Sequence, residues 1–250
     1  CLQHLYKQGI DTCVIDNDST DNSVGIANSF KRKGVFRIEN QPYAGYFDLV
    51  EQLRIKEKLA KEIDADWFIH HDADEIREAP KQFKSLKNGI FMVNKMGYNA
   101  INFDEFVFTP TNFIENFEKK DYVKEMNYYY FFEPYPIRRI NAWKNQNQVI
   151  DLINSGGHQV NFEGIKIYPE NFILRHYIIL SKDHAIRKYY SEKVFSKKEH
   201  EERGWHGARM TFTPEKLHFP KRELLKRIDK NKVWDKSEIW KKHTFMEGDF

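Results

Sequence analysis

Two aspartates spaced two apart, Asp72 and Asp74, follow directly on the apolar run Trp67–His71 (WFIHH). In extended backbone the side chains at i and i+2 point the same way. At a strand end such a pair presents two hard oxygen ligands to one divalent cation. Mg²⁺ typically takes one or two protein carboxylates and completes its shell with water and substrate phosphates. A cation so placed neutralises charge that builds up on a departing diphosphate. An Asp-x-Asp alone is common on surfaces, but here an apolar run that should be buried leads into it. The competing reading is a solvated acidic turn or a helix start, with Glu75 and Glu78 in its first turn and Pro80 behind; the metal reading is preferred.

A second polar loop, Asp16-Asn17-Asp18-Ser19-Thr20-Asp21, offers carboxylates and amides that can accept from a nucleobase N–H or from ribose hydroxyls. The same residue types are ordinary helix N-caps, and one loop can do both jobs. For removing a proton from a hydroxyl, a carboxylate is needed. Glu105, in the alternating segment INFDEFVF, is preferred narrowly over Glu133, which sits among aromatics. His70 and His71 flank the aspartate pair, and alternation places one in the core and one nearer the cleft. His158 lies in a glycine-rich loop (SGGHQV), where it could cover a ligand, and His176 ends an apolar run. Arg187, Lys188 and Arg209 could grip phosphate oxygens, although any one of them is as readily a surface cation.

The elements that would position these residues alternate. Residues 2–8 read as a helix closed by Gly9, Thr12–Asp16 (TCVID) as a buried strand, and the next helix runs to about Lys33. Val35–Glu39 is a strand, Phe47–Ile63 an amphipathic helix, and Trp67–His71 a third strand. Such alternation is the signature of a parallel sheet with crossover helices, in which ligands bind where loops leave the carboxyl ends of strands. Both acidic loops are therefore expected on one edge. Further on, Met92–Phe108 reads as strands broken at Gly97, Asn127–Pro136 as an edge strand or loop, and Asn171–Ile179 as a strand. Lys182–Lys198 reads as a helix, and Thr213 to the end as short basic helices. Most of the aromatics are expected to pack in the core; the Tyr128–Phe132 run could also mark an interface, and an aromatic groove could stack an acceptor sugar.

With these residues in place, the segment IDNDSTDNS resembles the VDDGSTDxS segment of family 2-type glycosyltransferases of the GT-A fold, and HHDADE resembles their Asp-x-Asp motif. The likeness is to a bacterial branch whose motifs run closer to DNGSTD and DxDE, and it covers residues 1 to about 110. It implies an α/β, Rossmann-like, mostly parallel sheet flanked by helices. It also implies a nucleotide-diphosphate-sugar donor (UDP-linked by preference), a Mn²⁺ or Mg²⁺ ion, and transfer with inversion. Asp16 and Asn17 match the positions that contact the nucleoside. Asp72 and Asp74 match the metal motif, with Asp74 ahead as direct ligand and Asp72 also facing the donor. His176 is a further metal candidate, His158 and Arg187 are donor-binding candidates, and Glu105 matches an acidic position of similar sequences. Family members begin with a strand and loop that would precede Cys1, so either that strand lies outside this sequence or the nucleotide site is incomplete.

Composition suggests a soluble globular protein, and the cysteine usage suggests a reducing cytoplasm. No apolar run is long enough to cross a bilayer, the first residues lack the features of a signal peptide, and 2 cysteines make no disulfide framework. The formal charge of +3 does not suggest nucleic acid, but residues 181–250 hold 18 Lys and Arg against 12 Asp and Glu. That basic stretch is either a set of solvated helix faces or a peripheral contact with the inner face of the membrane. The expected organisation is a donor-binding half over 1–110, an acceptor-side half over 111–212 and a helical extension over 213–250. The acceptor is a saccharide or lipid-linked saccharide of a surface glycan. Two other readings are kept: a metal-dependent phosphoesterase or nucleotidyltransferase built on His70, His71, Asp72 and Asp74, and a non-catalytic binding module of the same fold.

Overall fold

The computed structural model describes residues 1–134, 138–229, 233–243 and 245. Its elements run α1 (Leu2–Lys7), β1 (Thr12–Asp16), α2 (Ser23–Ser29), β2 (Val35–Asn40), α3 (Leu49–Glu62), β3 (Trp67–Ile69), β4 (Glu75–Glu78), α4 (Leu86–Lys95) and β5 (Ala100–Phe108). They continue with α5 (Tyr122–Glu125), β6 (Tyr128–Phe132), β7 (Ile140–Lys144), β8 (Phe172–His176), α6 (Lys182–Ile186), α7 (Lys197–Arg203), α8 (Gly207–Met210), β9 (Lys226–Arg227) and β10 (Ile239–Trp240). The protein is α/β, a sheet flanked by helices. No helix of the described residues is long and apolar enough to cross a membrane. The chain divides into two compact units, Cys1–Phe103 with Arg139–Leu174, and Asp104–Arg138 with Arg175–Phe250.

In the first unit β1 pairs parallel with β2, Thr12 opposite Val35 through Asp16 opposite Asn40. β1 was expected to be buried, but all five residues are half-buried, because its sheet holds only β1 and β2. α2 stops at Ser29 rather than Lys33: the amide of Val35 closes a turn on the Phe30 carbonyl (3.1 Å), and Gly34 takes φ +92°. β3 runs antiparallel to β7, Trp67 opposite Lys144 and Ile69 opposite Ala142. The expected extension of the parallel pair through β3 is thus corrected. A tight turn, not a crossover helix, follows β3, and its partner comes from far along the chain.

α3 forms where the sequence suggests. Asp48 caps it by accepting from the Glu51 amide (2.8 Å), and Leu53, Leu59 and Ala60 are buried; an Asp cap with Glu three residues on satisfies end amides that have no helical partner. Residues 92–95, read above as strand, are the last turns of α4. Leu86, Ile90 and Val93 give that helix an apolar face at helical spacing, and the Ser85 hydroxyl caps it at Asn88 N.

The ladder between β5 and β7 carries an irregularity. Ala100 faces Trp143 and Ile101 faces Ala142, but Asn102 faces Ile140, so Asn141 is an extra residue on β7. This is a β-bulge. It explains why Ile140 packs in one core with Leu53, Ala60, Ala100 and Trp143, while Ala142 packs in the other with Leu86, Ile101 and Phe172. Without the bulge, residues two apart would share a face.

In the second unit the β5 residues Glu105–Phe108 pair antiparallel with Phe132–Tyr129 of β6. β6 also pairs with β10 (parallel) and β9 (antiparallel), so it is an inner strand and not an edge. Its aromatic run is core: Tyr129–Phe132 are buried, Trp234 stacks on Phe106 (4.4 Å between centroids), and Trp240 stacks on Tyr130 (4.4 Å). Tyr135 and Pro136, which end the expected edge segment, lie outside the described residues. The expected helix over 182–198 is broken. α6 passes into a π-helical stretch over Arg187–Ser191, and α7 starts afresh at Lys197, capped by Ser196. After Thr213 the described residues form only single 3₁₀ turns and the short β9 and β10, with Pro214 in the first turn and Pro220 unable to donate an amide. Residues 230–232, 244 and 246–250 of the expected extension lie outside the described residues.

Gly89 on α4 faces the Ala79 methyl and the Phe172 ring, and a Cβ there would lie 2.9 Å from each. Alanine improves helix propensity by about 1 kcal/mol, yet overpacking costs about 1–3 kcal/mol, so Gly89→Ala should lower stability by up to about 2 kcal/mol. Urea denaturation reads this directly, and a raised midpoint would contradict the packing described.

Candidate active site

The Asp72-Ala73-Asp74 segment is a turn between β3 and β4, fixed at both ends. The Glu75 amide donates to the Asp72 carbonyl (3.2 Å), and the Asp72 amide donates to Glu75 Oε2 (3.0 Å). The Asp72 side chain is 53% exposed, and Asp74 is half-buried. Behind it, Glu75 begins a strand, not the helix turn weighed above. Glu75 and Arg77, at i and i+2, therefore lie on one side of β4 and meet at 2.7 Å.

Arg77 has no exposed surface. Its Nη2 donates to Glu75 Oε2 and to Asn141 Oδ1 (3.2 Å), its Nε donates to His71 Nδ1 (3.2 Å), and its guanidinium lies 4.4 Å from the Phe103 ring centroid. Asn141, the bulged residue of β7, donates from Nδ2 to the carbonyls of Gly157 (3.0 Å) and His158 (3.1 Å). Gly157 sits at φ +81°, where a Cβ would come within 2.9 Å of His70 Cε1 and 3.0 Å of Leu53 Cδ2; both the conformation and the space demand glycine. His158, next in the chain, is exposed. Arg77, Asn141 and the role of Glu75 were not singled out from sequence. The usable signal was Glu75-Ile76-Arg77, charges of opposite sign on one side of an extended segment.

The polar loop after β1 is laced to the loop after β2. Gln41 N donates to the Asp16 carbonyl (2.7 Å), Asn17 Nδ2 to the Gln41 carbonyl (2.8 Å), and Tyr43 N to Asp18 Oδ2 (2.7 Å). Ser19 N donates to Asp16 Oδ2 (3.1 Å), and Asp18 holds φ +51°. Asp16 and Asn17 are half-buried, and the carbonyl oxygen is the end of the Asn17 amide that can turn to a ligand. α3 connects this loop to the Asp72 turn. Gln41 Nε2 donates to the Asp48 carbonyl at the start of α3 (3.2 Å), and Lys56, eight residues on, reaches Asp72 Oδ1 (3.4 Å). Eight residues of helix span about 12 Å. The neighbouring Glu57 accepts the Leu152 amide (2.7 Å), which ties the glycine loop's lead-in to the same helix.

Burial holds both His70 and His71 well below the ordinary imidazole range. For His70 the neighbouring Lys56, Arg77 and His158 add to the effect and Asp72 opposes it; for His71 Arg77 acts in the same direction and Asp72 again opposes. Alternation had placed one of the two toward a cleft, but their side chains are only 8% and 11% exposed; one leads off β3 and the other is enclosed by the Arg77 network. Accepting from Arg77 Nε at Nδ1 requires neutral His71 to carry its proton on Nε2.

Among the described residues no three His, Cys, Asp or Glu side chains gather as a metal cage. The donor set nevertheless fits a hard cation shared with a ligand: two carboxylates on a fixed turn, with phosphate and water completing the shell. Lys56 Nζ lies 3.4 Å from Asp72 Oδ1.

In the second unit the structure brings together two candidates that the sequence kept apart. Glu105 Oε1 and His176 Nδ1 are 2.6 Å apart, with Glu105 1% and His176 19% exposed. A buried carboxylate holding an imidazole by Nδ1 fixes its tautomer and presents Nε2. Glu133 is exposed. Arg187 is paired with Glu118 and lies 3.8 Å from Glu192.

No protein-family model matches the chain, and no curated protein matches it. Among solved structures it is similar to a crystal structure of S. aureus TarS, at 10% identity and a TM-score of 0.39 over 85% of this chain, and it spans 41% of that chain. It is likewise similar to S. aureus TarS 1–349 in complex with UDP, at 10% identity and a TM-score of 0.40, covering 86% of this chain and 71% of that one.

The two buried histidines set a pH dependence. Their folded pKa values lie below the unfolded value of about 6.5, so below that pH the unfolded chain binds protons the folded chain does not, and stability falls as pH drops. His206, lowered to about 4 chiefly by burial, acts in the same direction between its unfolded and folded values. Unfolding free energy is measured in urea across this range. Below pH 6.5 it should fall by about 1 kcal/mol per pH unit for each of His70 and His71. Constant stability down to pH 5 would contradict their burial as neutral groups.

Proposed function

We propose that this protein is a metal-dependent, inverting glycosyltransferase of the GT-A type that moves a sugar from a nucleoside-diphosphate donor to a hydroxyl acceptor. The observation that carries the reading is the pair Asp72 and Asp74 on a turn pinned by Glu75 and Arg77, joined through α3 to the Asp16–Asn17 loop about 12 Å along the helix. Two polar loops tied to one helix eight residues apart suit a ligand with a nucleoside at one end and a diphosphate at the other. The sequence likeness to family 2-type enzymes independently assigns the two loops to those two ends.

In this reading Asp16 and Asn17 accept from the nucleoside, and Asp72 and Asp74 face the diphosphate through a cation. Bound Mn²⁺ or Mg²⁺ would take up the charge left on the departing diphosphate. Lys56 is placed to follow the phosphate once Asp72 is engaged, and His158 stands exposed on the glycine loop to cover the donor. Arg187 is occupied by Glu118 and has no part in this reading.

Direct displacement needs a group that removes the acceptor's proton. Glu105, 1% exposed and bonded to His176, supports the imidazole rather than meeting a hydroxyl itself. His176 takes the proton and Glu105 stabilises the imidazolium, a division of labour familiar from carboxylate–histidine pairs. Glu133 is the exposed carboxylate that would serve if the pair does not. The acceptor is a saccharide, free or lipid-linked, in surface-glycan assembly at the cytoplasmic side of the membrane.

UDP titration with and without Mn²⁺ tests the reading. Wild type should bind UDP in a Mn²⁺-dependent manner, Asp74→Asn should lose that dependence, and His176→Gln should keep binding while losing transfer. Absence of metal-dependent binding of any nucleoside diphosphate to the folded wild type would overturn it in favour of a non-catalytic module.

A further inference from the structure

We infer that Arg77 is a positioning residue which, through Glu75 and Asn141, locks the Asp72–Asp74 turn and the Gly156–Gly157 loop into one rigid piece. This inference rests on the donor-site reading above. A guanidinium with no exposed surface is costly unless an anion and hydrogen-bond acceptors match it. Apolar residues of similar size often stabilise a core as well as a buried ion pair does, so the pairing calls for another use.

The geometry supplies that use. One oxygen, Glu75 Oε2, accepts both the Arg77 Nη2 and the amide of Asp72, so the guanidinium holds the carboxylate that holds the turn. The same Nη2 reaches Asn141 Oδ1, and the Asn141 amide nitrogen holds the Gly157 and His158 carbonyls. Asn141 is the inserted residue of the β7 bulge, the kind of feature that re-aims a side chain beside a site. His4 Nε2 closes on the Arg77 carbonyl (2.8 Å), which fixes β4 from its other side. His70 also lies against both, 3.8 Å from Asp72 Oδ1 and packed on Gly157, but the hydrogen bonds that hold the two backbones run through Glu75, Arg77 and Asn141.

The consequence is that the cation's affinity depends on residues that never touch it. Glu75→Ala should raise the Mn²⁺ concentration for half-maximal UDP binding by about 10–100-fold, while UDP affinity at saturating Mn²⁺ stays within about threefold of wild type. Glu75→Gln, which keeps an acceptor for the Asp72 amide, should restore most of the Mn²⁺ affinity. A merely structural role would lower stability without that split or that rescue. Folded Glu75→Ala with the wild-type Mn²⁺ requirement overturns the inference, provided Asp74→Asn loses it. If wild type shows no metal-dependent binding, or Asp74→Asn leaves it unchanged, the donor reading has failed, and amide exchange of the metal-free protein decides the positioning alone. Arg77→Met, or Asn141→Ala if the former does not fold, should speed exchange at Asp72 or at Gly157–His158 respectively by at least about tenfold; unchanged protection there overturns the lock.

Discussion

The Arg77 guanidinium is enclosed completely, and a charge in that position leaves its neighbours few choices. It needs an anion in contact, which Glu75 supplies, and acceptors in the plane of the guanidinium, which Asn141 and His71 supply. Each requirement shapes backbone. Glu75 must sit at i−2 on an extended strand, so the chain cannot start a helix after the two aspartates. Asn141 must turn toward β4, and β7 accommodates it by a bulge. His71 must stay neutral to accept, which burial enforces.

The apolar packing is arranged to permit this polar centre. The bulge at Asn141 divides Ile140 and Ala142 between two cores, one under α3 and one under α4. α3 then contributes along its length: Asp48 receives the loop after β2, Leu53 fills the space beside Gly157, and Lys56 and Glu57 reach the turn and the lead-in to the glycine loop. The second unit follows the same logic on a smaller scale, with Glu105 withdrawn from solvent and committed to His176. Its aromatic strand β6 is sealed on both sides by neighbouring strands and by Trp234 and Trp240.

Much of the first hundred residues was legible because the signals there are local. TCVID, VFRIE and the 49–62 helix have the right period and clear caps or breaks. The aspartate pair stands out by composition and by the run before it. The structure departs from that reading where an element depends on distant partners. β3 looks like the third parallel strand, but its ladder is with residues 140–144, and no local pattern announces that. Met92–Lys95 was misread because the four residues alone fit either period; Leu86 and Ile90 settle the helix only when the window begins earlier. Arg77 and Asn141 were passed over because a lone arginine and a lone asparagine look like surface residues until their burial is known. The proximity of Glu105 and His176, 71 positions apart in sequence, is likewise a product of tertiary pairing.

The central claim is that the Arg77–Glu75 pair is retained as a matched unit, and a double-mutant cycle on folding stability tests it most directly. Arg77→Met alone should cost about 3–5 kcal/mol by leaving a buried carboxylate unmatched, and Glu75→Leu alone a similar amount, while the double variant should cost well below their sum, the remainder coming from the Asp72 amide and the Asn141 oxygen left without these partners. A coupling energy of about 3 kcal/mol or more is the result this account predicts. Additive losses with coupling near zero would mean that the two charges do not depend on each other and that the turn is held by something else.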